Sequence, residues 1–275
     1  MPLFCGVEGN LKKIKDLYIG LNGEMKKICE VWADDNGVKR LIYKNTDKKI
    51  YYLKIINENA IEGANTISFD IGRTYEIYLI QPGLAGGDGG ENWALYKGGG
   101  GGAGAINEVI YFKFICLNNL TKINYNISNF LNYKNINSLE FNDGKNLVNI
   151  NFKVFEESFA KKGGDAWAFN ATPDGGDNAR PLSHEIIGNT DILISYKSWD
   201  GISQTEHSGN NRGAPAPAPN TEIPYMQPLY IAQAGQDAYF NESENNLCLG
   251  NAGGGGNGGE KGGKGAPGGI IIFEL

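Results

Sequence analysis

Apolar and polar residues alternate along much of the chain, which is the pattern of half-buried β-strands. In LVNINFKVF, residues 147–155, every second residue from Val148 to Val154 is apolar and the residues between them are polar. Other segments rich in β-branched and aromatic residues are 74–80 (TYEIYLI), 109–115 (VIYFKFI), 191–197 (DILISYK), 229–234 (LYIAQA) and 269–275 (GIIIFEL). Helical periodicity is nearly absent. The sequence therefore predicts an all-β fold in which most strands form a β-sandwich.

Residues 11–44 contain an internal repeat with a period of 14 residues. Aligning Ile14 with Ile28 also aligns Asn22–Gly23 with Asn36–Gly37. Each copy is a short alternating strand that runs into Asn-Gly, the dipeptide that favours a type I′ hairpin turn. We therefore predict an N-terminal β-hairpin attachment module over residues 1–55 and a glycine-rich domain over 56–275. A β-extension of the main domain is the alternative interpretation of residues 11–44.

Glycine recurs at every third position in two tracts between predicted strands. The first tract is interrupted only at Asn92 and Leu95, and the second is uninterrupted. The phased glycines are Gly83, Gly86, Gly89, Gly98, Gly101, Gly104, Gly250, Gly253, Gly256, Gly259, Gly262, Gly265 and Gly268. A period of three matches a left-handed extended helix with three residues per turn, on which glycine lets another backbone approach closely. Such a helix has no internal hydrogen bonds, so its amides must pair with neighbouring helices or water.

The predicted fold is therefore an all-β chain, with an N-terminal β-hairpin module followed by a β-sandwich-like domain with packed polyglycine II helices. A flexible linker is the main alternative for the tracts, and the strict phase and the apolar segment 269–275 disfavour it. A collagen triple helix is disfavoured because Pro267 is almost the only proline in the second tract.

Composition excludes several classes of function. The chain has 275 residues, 41% of them hydrophobic, and a formal net charge of −6, so it has enough apolar surface for a core but no basic field for nucleic acid or anionic membranes. It begins without a signal-peptide pattern and has no apolar run near the roughly 18 residues of a membrane span, which predicts cytoplasmic synthesis and no membrane insertion. The four cysteines form no CxxC pair, so we expect reduced side chains and no metal site.

Catalytic patterns are also absent from the sequence. His184 and His207 are the two histidines, and no HExxH, GxSxG or Cys/His arrangement occurs. Asp174 and Asp177 in PDGGD could bind calcium, but two carboxylates in a turn are more often only a turn. We therefore expect no enzymatic activity, no cofactor and no catalytic residue.

Aromatic residues set within glycine-rich loops are the best candidates for binding. Flat, rigid rings beside Asn, Asp and Lys suit stacking on sugars or on a loop of another protein, and the alternative is that the rings fold inward to cap the sandwich. A third loop, residues 203–222, is polar and then proline-rich, and we interpret it as an exposed excursion. The candidate receptor-binding residues are Trp93, Tyr96, Trp167 and Phe169 from the first two loops and His207, Asn210 and Arg212 from the third.

The tracts, their aromatic interruptions and the closing GAPGGIIIFEL resemble the glycine-rich domains at the ends of bacteriophage tail fibre and receptor-binding proteins. The repeat IKDLYIGLNGEMKKI with ICEVWADDNGVKRLI is similar to a short repeat common in tail and minor structural proteins of phages of low-GC Gram-positive bacteria. The two resemblances cover residues 11–44 and roughly 65–275. They imply an adhesin whose polyglycine II helices pack in a bundle and whose loops recognise a host surface receptor.

By this resemblance the chain is expected to be a receptor-binding protein of a phage tail or a phage-tail-like bacteriocin. Its partners would be a bacterial surface glycan or protein and other tail or baseplate proteins, and a homotrimer is expected at a tail tip. The expected location is the virion tail or tail-like particle, after synthesis in the host bacterial cytoplasm. The alternative is a structural tail fibre or baseplate component that does not contact the receptor.

Overall fold

A computed structural model describes six strands between residues 4 and 44 and, beyond them, most of the chain. The described ranges after residue 44 are 49–130, 133–153, 159–166, 173–205, 208, 211–220, 222–223, 231–238 and 249–275. The chain divides into two compact units, Met1–Tyr51 with Phe273–Leu275 and Tyr52–Ile272. Within the described ranges, no helix has the length and apolarity to cross a membrane.

The first unit contains three separate antiparallel strand pairs. They are formed by β1 (Phe4–Val7) with β2 (Asn10–Lys13), β3 (Leu17–Leu21) with β4 (Glu24–Ile28), and β5 (Glu30–Asp35) with β6 (Val38–Lys44). The register pairs Leu21 with Glu24 and Asp35 with Val38, so the second and third pairs flank the two Asn-Gly dipeptides of the repeat.

The strands that follow residue 44 form two five-stranded sheets. Sheet I contains, in spatial order, β15 (Ser195–Trp199), β10 (Val109–Ile115), β9 (Thr74–Ile80), β16 (Gly268–Glu274) and β7 (Lys49–Ile56). Sheet II contains β14 (Ser183–Gly188), β13 (Leu147–Lys153), β12 (Tyr133–Asn142), β11 (Lys122–Phe130) and β8 (Gly63–Ser68). The prediction of an all-β fold is confirmed.

Aromatic side chains pack between the two sheets. The rings of Phe114 on β10 and Phe141 on β12 lie 4.5 Å apart. The ring of Phe112, also on β10, lies 5.9 Å from that of Phe141. All three are almost fully buried, and burial of each such ring contributes roughly 1.5–3 kcal/mol to stability. The hydroxyls of Tyr52 on β7 and Tyr125 on β11 are 2.8 Å apart, and burial, with this contact, raises the pKa of Tyr125. These contacts hold sheet I against sheet II.

Two of the predicted strand segments differ from the structure. Residues 191–197 were expected to be one strand, but Thr190–Ile192 form a 3₁₀ turn and β15 starts only at Ser195. Residues 231–234, the described part of the predicted strand LYIAQA, are not a strand, because the carbonyl of Ala232 accepts a hydrogen bond from Ala216 outside both sheets. Alternation of apolar residues alone does not distinguish a sheet strand from another extended segment with buried neighbours.

Candidate functional site

The glycine-rich connections leave their sheets at strand ends that lie side by side. In sheet I, Ile80 at the end of β9 pairs with Val109 at the start of β10, which also pairs with Trp199 at the end of β15. In sheet II, Lys153 at the end of β13 pairs with Ser183 at the start of β14. The antiparallel topology therefore directs all these connections from one end of each sheet.

Two buried polar side chains join the ends of the two sheets. The Nε2 of Gln81 donates to the carbonyl of Ile136 (2.5 Å), and the amide of Ile136 donates back to Oε1 (3.2 Å). The Nδ2 of Asn107 donates to the carbonyl of Pro82 (2.6 Å), and its Oδ1 accepts from the amide of Leu182 (2.7 Å). Because these groups are buried and paired, the base of the glycine-rich region is fixed to both sheets.

Eight extended segments of the described chain form this region, which we call the glycine bundle. In chain order they are segment A (82–91), B (98–107), C (159–166), D (173–181), E (211–220), F (231–238), G (249–259) and H (260–267). Backbone hydrogen bonds between different segments connect them. The bundle therefore includes four segments, C, D, E and F, outside the two phased tracts.

Hydrogen bonds between neighbouring segments recur at every third residue. The amides of Leu84, Gly87 and Gly90 in segment A donate to every third carbonyl of segment B, at 2.9, 2.8 and 2.8 Å. The residue before each of these three donates its amide to a carbonyl of segment H. On the third side of segment A, the carbonyls of Asp88 and Glu91 accept hydrogen bonds from segment C. Each side of segment A thus has its own neighbour, with a period of three rather than the period of two that a strand has.

At most of the phased glycines the segments approach so closely that there is no room for a side chain between them. An added Cβ at Gly101 would lie under 3.0 Å from the carbonyl oxygen of Gly87, closer than real Cβ atoms come to backbone. The same holds, against other backbone atoms, for the predicted packing glycines Gly83, Gly86, Gly89, Gly98, Gly104, Gly253, Gly256, Gly262, Gly265 and Gly268. Gly250 and Gly259 instead have positive φ angles of 73° and 81°.

A two-residue hairpin connects segments A and B at the end of the bundle away from the sheets. Trp93 and Tyr96 exchange both backbone hydrogen bonds (3.0 and 2.8 Å), and Ala94 between them has a φ of 50°. The rings of Trp93 and Tyr96 are 6.1 Å apart with planes only 5° from parallel. They are 47% and 42% exposed, and Leu95 at the apex is 96% exposed. In this loop the rings face solvent and do not cap the sandwich.

Polar contacts fix the hairpin to adjacent segments. The Oδ1 of Asn92 accepts from the amide of Gly98 (2.9 Å), and Asp165 of segment C accepts from the amide of Glu91 (2.7 Å). The pKa of Asp165 lies below its usual value, mainly because its carboxylate accepts a hydrogen bond from Lys162 (2.8 Å) and secondly because it accepts the one from the Glu91 amide. The hairpin is therefore held in one orientation at its base, while Leu95 at its apex is 96% exposed.

The other predicted site residues are described only in part. Arg212 is exposed at the start of segment E, next to Asn211, whose carbonyl accepts from Gly258 (3.4 Å) near the end of segment G. Segments C and D reach the same end of the bundle as the hairpin, because Ala166 donates to Glu91 at 2.9 Å. Trp167, Phe169, His207 and Asn210 lie outside the described residues.

The prediction that residues 203–222 form an exposed excursion is wrong for segment E. Gly213, Ala214, Ala216 and Pro217 are buried, and the carbonyl of Ala214 accepts from Gly255 (2.8 Å) at the centre of the bundle. Proline and alanine favour or tolerate extended three-fold backbone and have small side chains, so they can stand where glycine would be expected.

The remaining polar and aromatic clusters are internally paired. Glu108 accepts from the amide of His184 (2.9 Å) and contacts its Nδ1, while Nε2 lies 2.7 Å from the hydroxyl of Tyr196. Asp177 forms an ion pair with Lys161 at 3.1 Å. Among the residues that the structure describes, no group of three His, Cys, Asp or Glu is placed to hold a metal ion.

A half-buried aromatic cluster on sheet I is also occupied by its own contacts. Tyr78 and Tyr111 lie 5.0 Å apart, and Tyr78 stacks at 6.3 Å on Trp199. The ammonium of Lys197 lies 4.3 Å over the Trp199 ring, and Glu222 accepts from both of these side chains. The hairpin of segments A and B is therefore the more open aromatic surface.

Comparison with known proteins identifies no matching family model, and it finds neither a curated protein nor a solved structure with significant similarity to the chain.

Proposed function

We propose that this chain is a receptor-binding protein of a phage tail or phage-tail-like bacteriocin, and that segments A to H are polyglycine II helices. The three-residue recurrence of hydrogen bonds supports the helix assignment, because a left-handed helix with three residues per turn presents each of its three sides to a different neighbour. In such a bundle the backbone itself is the core, and the loops between helices are free to carry binding residues.

The observation that carries the proposed function is the exposed aromatic hairpin at the far end of this bundle. Trp93, Leu95 and Tyr96 keep 47%, 96% and 42% of their surface exposed on a loop whose base is hydrogen-bonded to segment C. Large apolar side chains on a protein surface favour an interaction, and a fixed loop loses little conformational entropy on binding. Adhesion to a host surface uses both properties.

The three strand pairs of the first unit would attach the chain to other tail or baseplate proteins. They include both copies of the 14-residue repeat. If the protein assembles as a homotrimer, several hairpins on one particle would bind one cell, and weak single contacts would combine into high avidity. The repeat also fits a structural tail component, which is the second candidate function.

Binding of the labelled full chain to a panel of low-GC Gram-positive strains, measured by flow cytometry, tests the proposal. We expect strain-selective binding that the double variant Trp93→Ala, Tyr96→Ala loses while the protein stays folded, because the two residues are 47% and 42% exposed and their rings stack on each other. The matched control is Leu117→Ala, Leu120→Ala, which removes two exposed side chains at the opposite end of the sheets. A wild-type protein that assembles with tail proteins but binds no strain would favour the structural role.

A further inference from the structure

We infer that the apex of the hairpin between segments A and B inserts into an apolar pocket of a receptor protein, with Leu95 as the inserted side chain. This inference rests on the proposed function and names the chemical class of the partner. It starts from Leu95, which at 96% exposure is the most exposed large hydrophobic residue among those described.

The hairpin is a projection and not a groove. The hydrogen-bond exchange between Trp93 and Tyr96 closes a two-residue turn, so Leu95 and Ala94 are the outermost residues of the connection. The two flanking rings are nearly parallel and 6.1 Å apart, so each turns one face toward the other. A projection of this shape fits a concave partner.

The chemistry of the apex favours a protein pocket over a glycan. A sugar surface is covered with hydroxyls, and an aliphatic side chain pressed against it would remove water from these hydroxyls without replacing their hydrogen bonds. Leu95 has no group that could donate or accept. An apolar pocket has no such cost, and burying a leucine there removes nearly all of its exposed apolar surface from water.

Charged residues surround the apolar apex. Glu91, Lys97, Lys162 and Asp165 are all exposed beside the hairpin, and Lys162 forms ion pairs with Asp165 at 2.8 Å and with Glu91 at 4.0 Å. An apolar and aromatic centre with a charged rim is the usual composition of a protein–protein interface. A lipid bilayer is the weaker partner, because the chain's net charge of −6 would oppose binding to anionic lipids.

The test compares the wild-type full chain with the variants Leu95→Asp, Leu95→Met and Leu117→Asp. Leu117→Asp is the control, because Leu117 is 77% exposed but lies on the loop between β10 and β11. Each is titrated by flow cytometry on a strain that the wild type binds. The cells are untreated, treated with protease, or treated with periodate to oxidise glycans. Phosphatidylglycerol vesicles serve as the lipid probe.

We expect Leu95→Asp to weaken binding at least about tenfold, equivalent to about 1.4 kcal/mol, while Leu95→Met and Leu117→Asp bind like the wild type. Binding should be lost on protease-treated cells and kept on periodate-treated cells. Binding that survives protease and is lost with periodate would overturn the inference in favour of a glycan, and binding to vesicles would overturn it in favour of lipid. Unchanged affinity of Leu95→Asp would also overturn it while leaving the proposed function intact, whereas failure of the wild type to bind any strain would overturn both.

Discussion

The glycine bundle should not tolerate a single methyl group at a position of close approach, and Gly101→Ala tests this. Gly101 belongs to segment B and its Cα faces the carbonyl of Gly87 in segment A. That carbonyl already accepts a hydrogen bond of 2.9 Å from Gly256 in segment G. An alanine methyl must therefore displace a backbone group that joins three segments.

The expected cost follows from the groups that have to move. Overpacking a close-packed interior costs about 1–3 kcal/mol, and leaving a buried donor such as the Gly256 amide without its acceptor costs about 1–3 kcal/mol more. Alanine reduces the entropy of the unfolded chain, which offsets about 0.4–1 kcal/mol. The net loss is about 1–5.5 kcal/mol, or roughly 2–20 °C in unfolding temperature at about 2–4 °C per kcal/mol for a domain of this size.

Gly164→Ala is the matched control. It lies in the same bundle without a positive φ, but an added Cβ would come no closer than 3.1 Å, to Cβ of Pro173. The two variants share the entropy gain, so thermal unfolding followed by circular dichroism should show the larger loss for Gly101→Ala, from the closer contact and the displaced hydrogen bond. Equal stability of Gly101→Ala and Gly164→Ala would refute the argument that backbone contact forms the core of the bundle.

Three further predictions concern the hairpin and the C-terminal strand. Ala94→Gly should raise the stability by about 0.5–1 kcal/mol in urea unfolding, because alanine at a φ of 50° is strained; an unchanged midpoint would contradict this. The Asp165 contact should be lost as the pH falls below about 4 and through the depressed pKa of this residue, since only the carboxylate accepts well. The hydrogen-exchange protection factor, which corrects for the slower intrinsic exchange at low pH, should then fall at the Glu91 amide and not at Gly90, which donates to a backbone carbonyl. A chain ending at Pro267 lacks β16, whose three buried isoleucines contribute about 5–9 kcal/mol to stability. This chain should lose cooperative unfolding, whereas a chain lacking only Leu275 should keep it.

The sequence predicted the parts of the fold that depend on local pattern. Strand β13 follows directly from alternating apolar residues, β9 and β10 follow from their β-branched and aromatic residues, and the tract before β16 follows from phased glycine. The interruptions of the first tract at Asn92 and Leu95 are also informative, because both lie where segment A turns back into segment B. A break in the glycine period therefore marked the hairpin.

Segments E and F could not be predicted in the same way. Their residues carry no phased glycine, and their place in the bundle depends on partners distant in the sequence, such as Ala214 with Gly255 and Ala216 with Ala232. For the same reason the sequence suggested an exposed loop and a strand at these places. The single exposed leucine at the hairpin apex was also not recognisable, because its exposure follows from the tight turn at Ala94.

The arrangement separates the residues that stabilise the bundle from those that are free to bind. Backbone hydrogen bonds and close backbone contacts connect the segments of the bundle, so they require small residues there but place no requirement on the side chains of connecting loops. At the opposite end, β16 lies between β9 and β7, with Ile270, Ile271 and Ile272 fully buried. Segment H thus continues into the middle of sheet I, and this anchor supplies apolar burial that glycine cannot. A loop such as 92–97 can therefore change its apolar residues, and with them its partner, without loss of the fold that presents it.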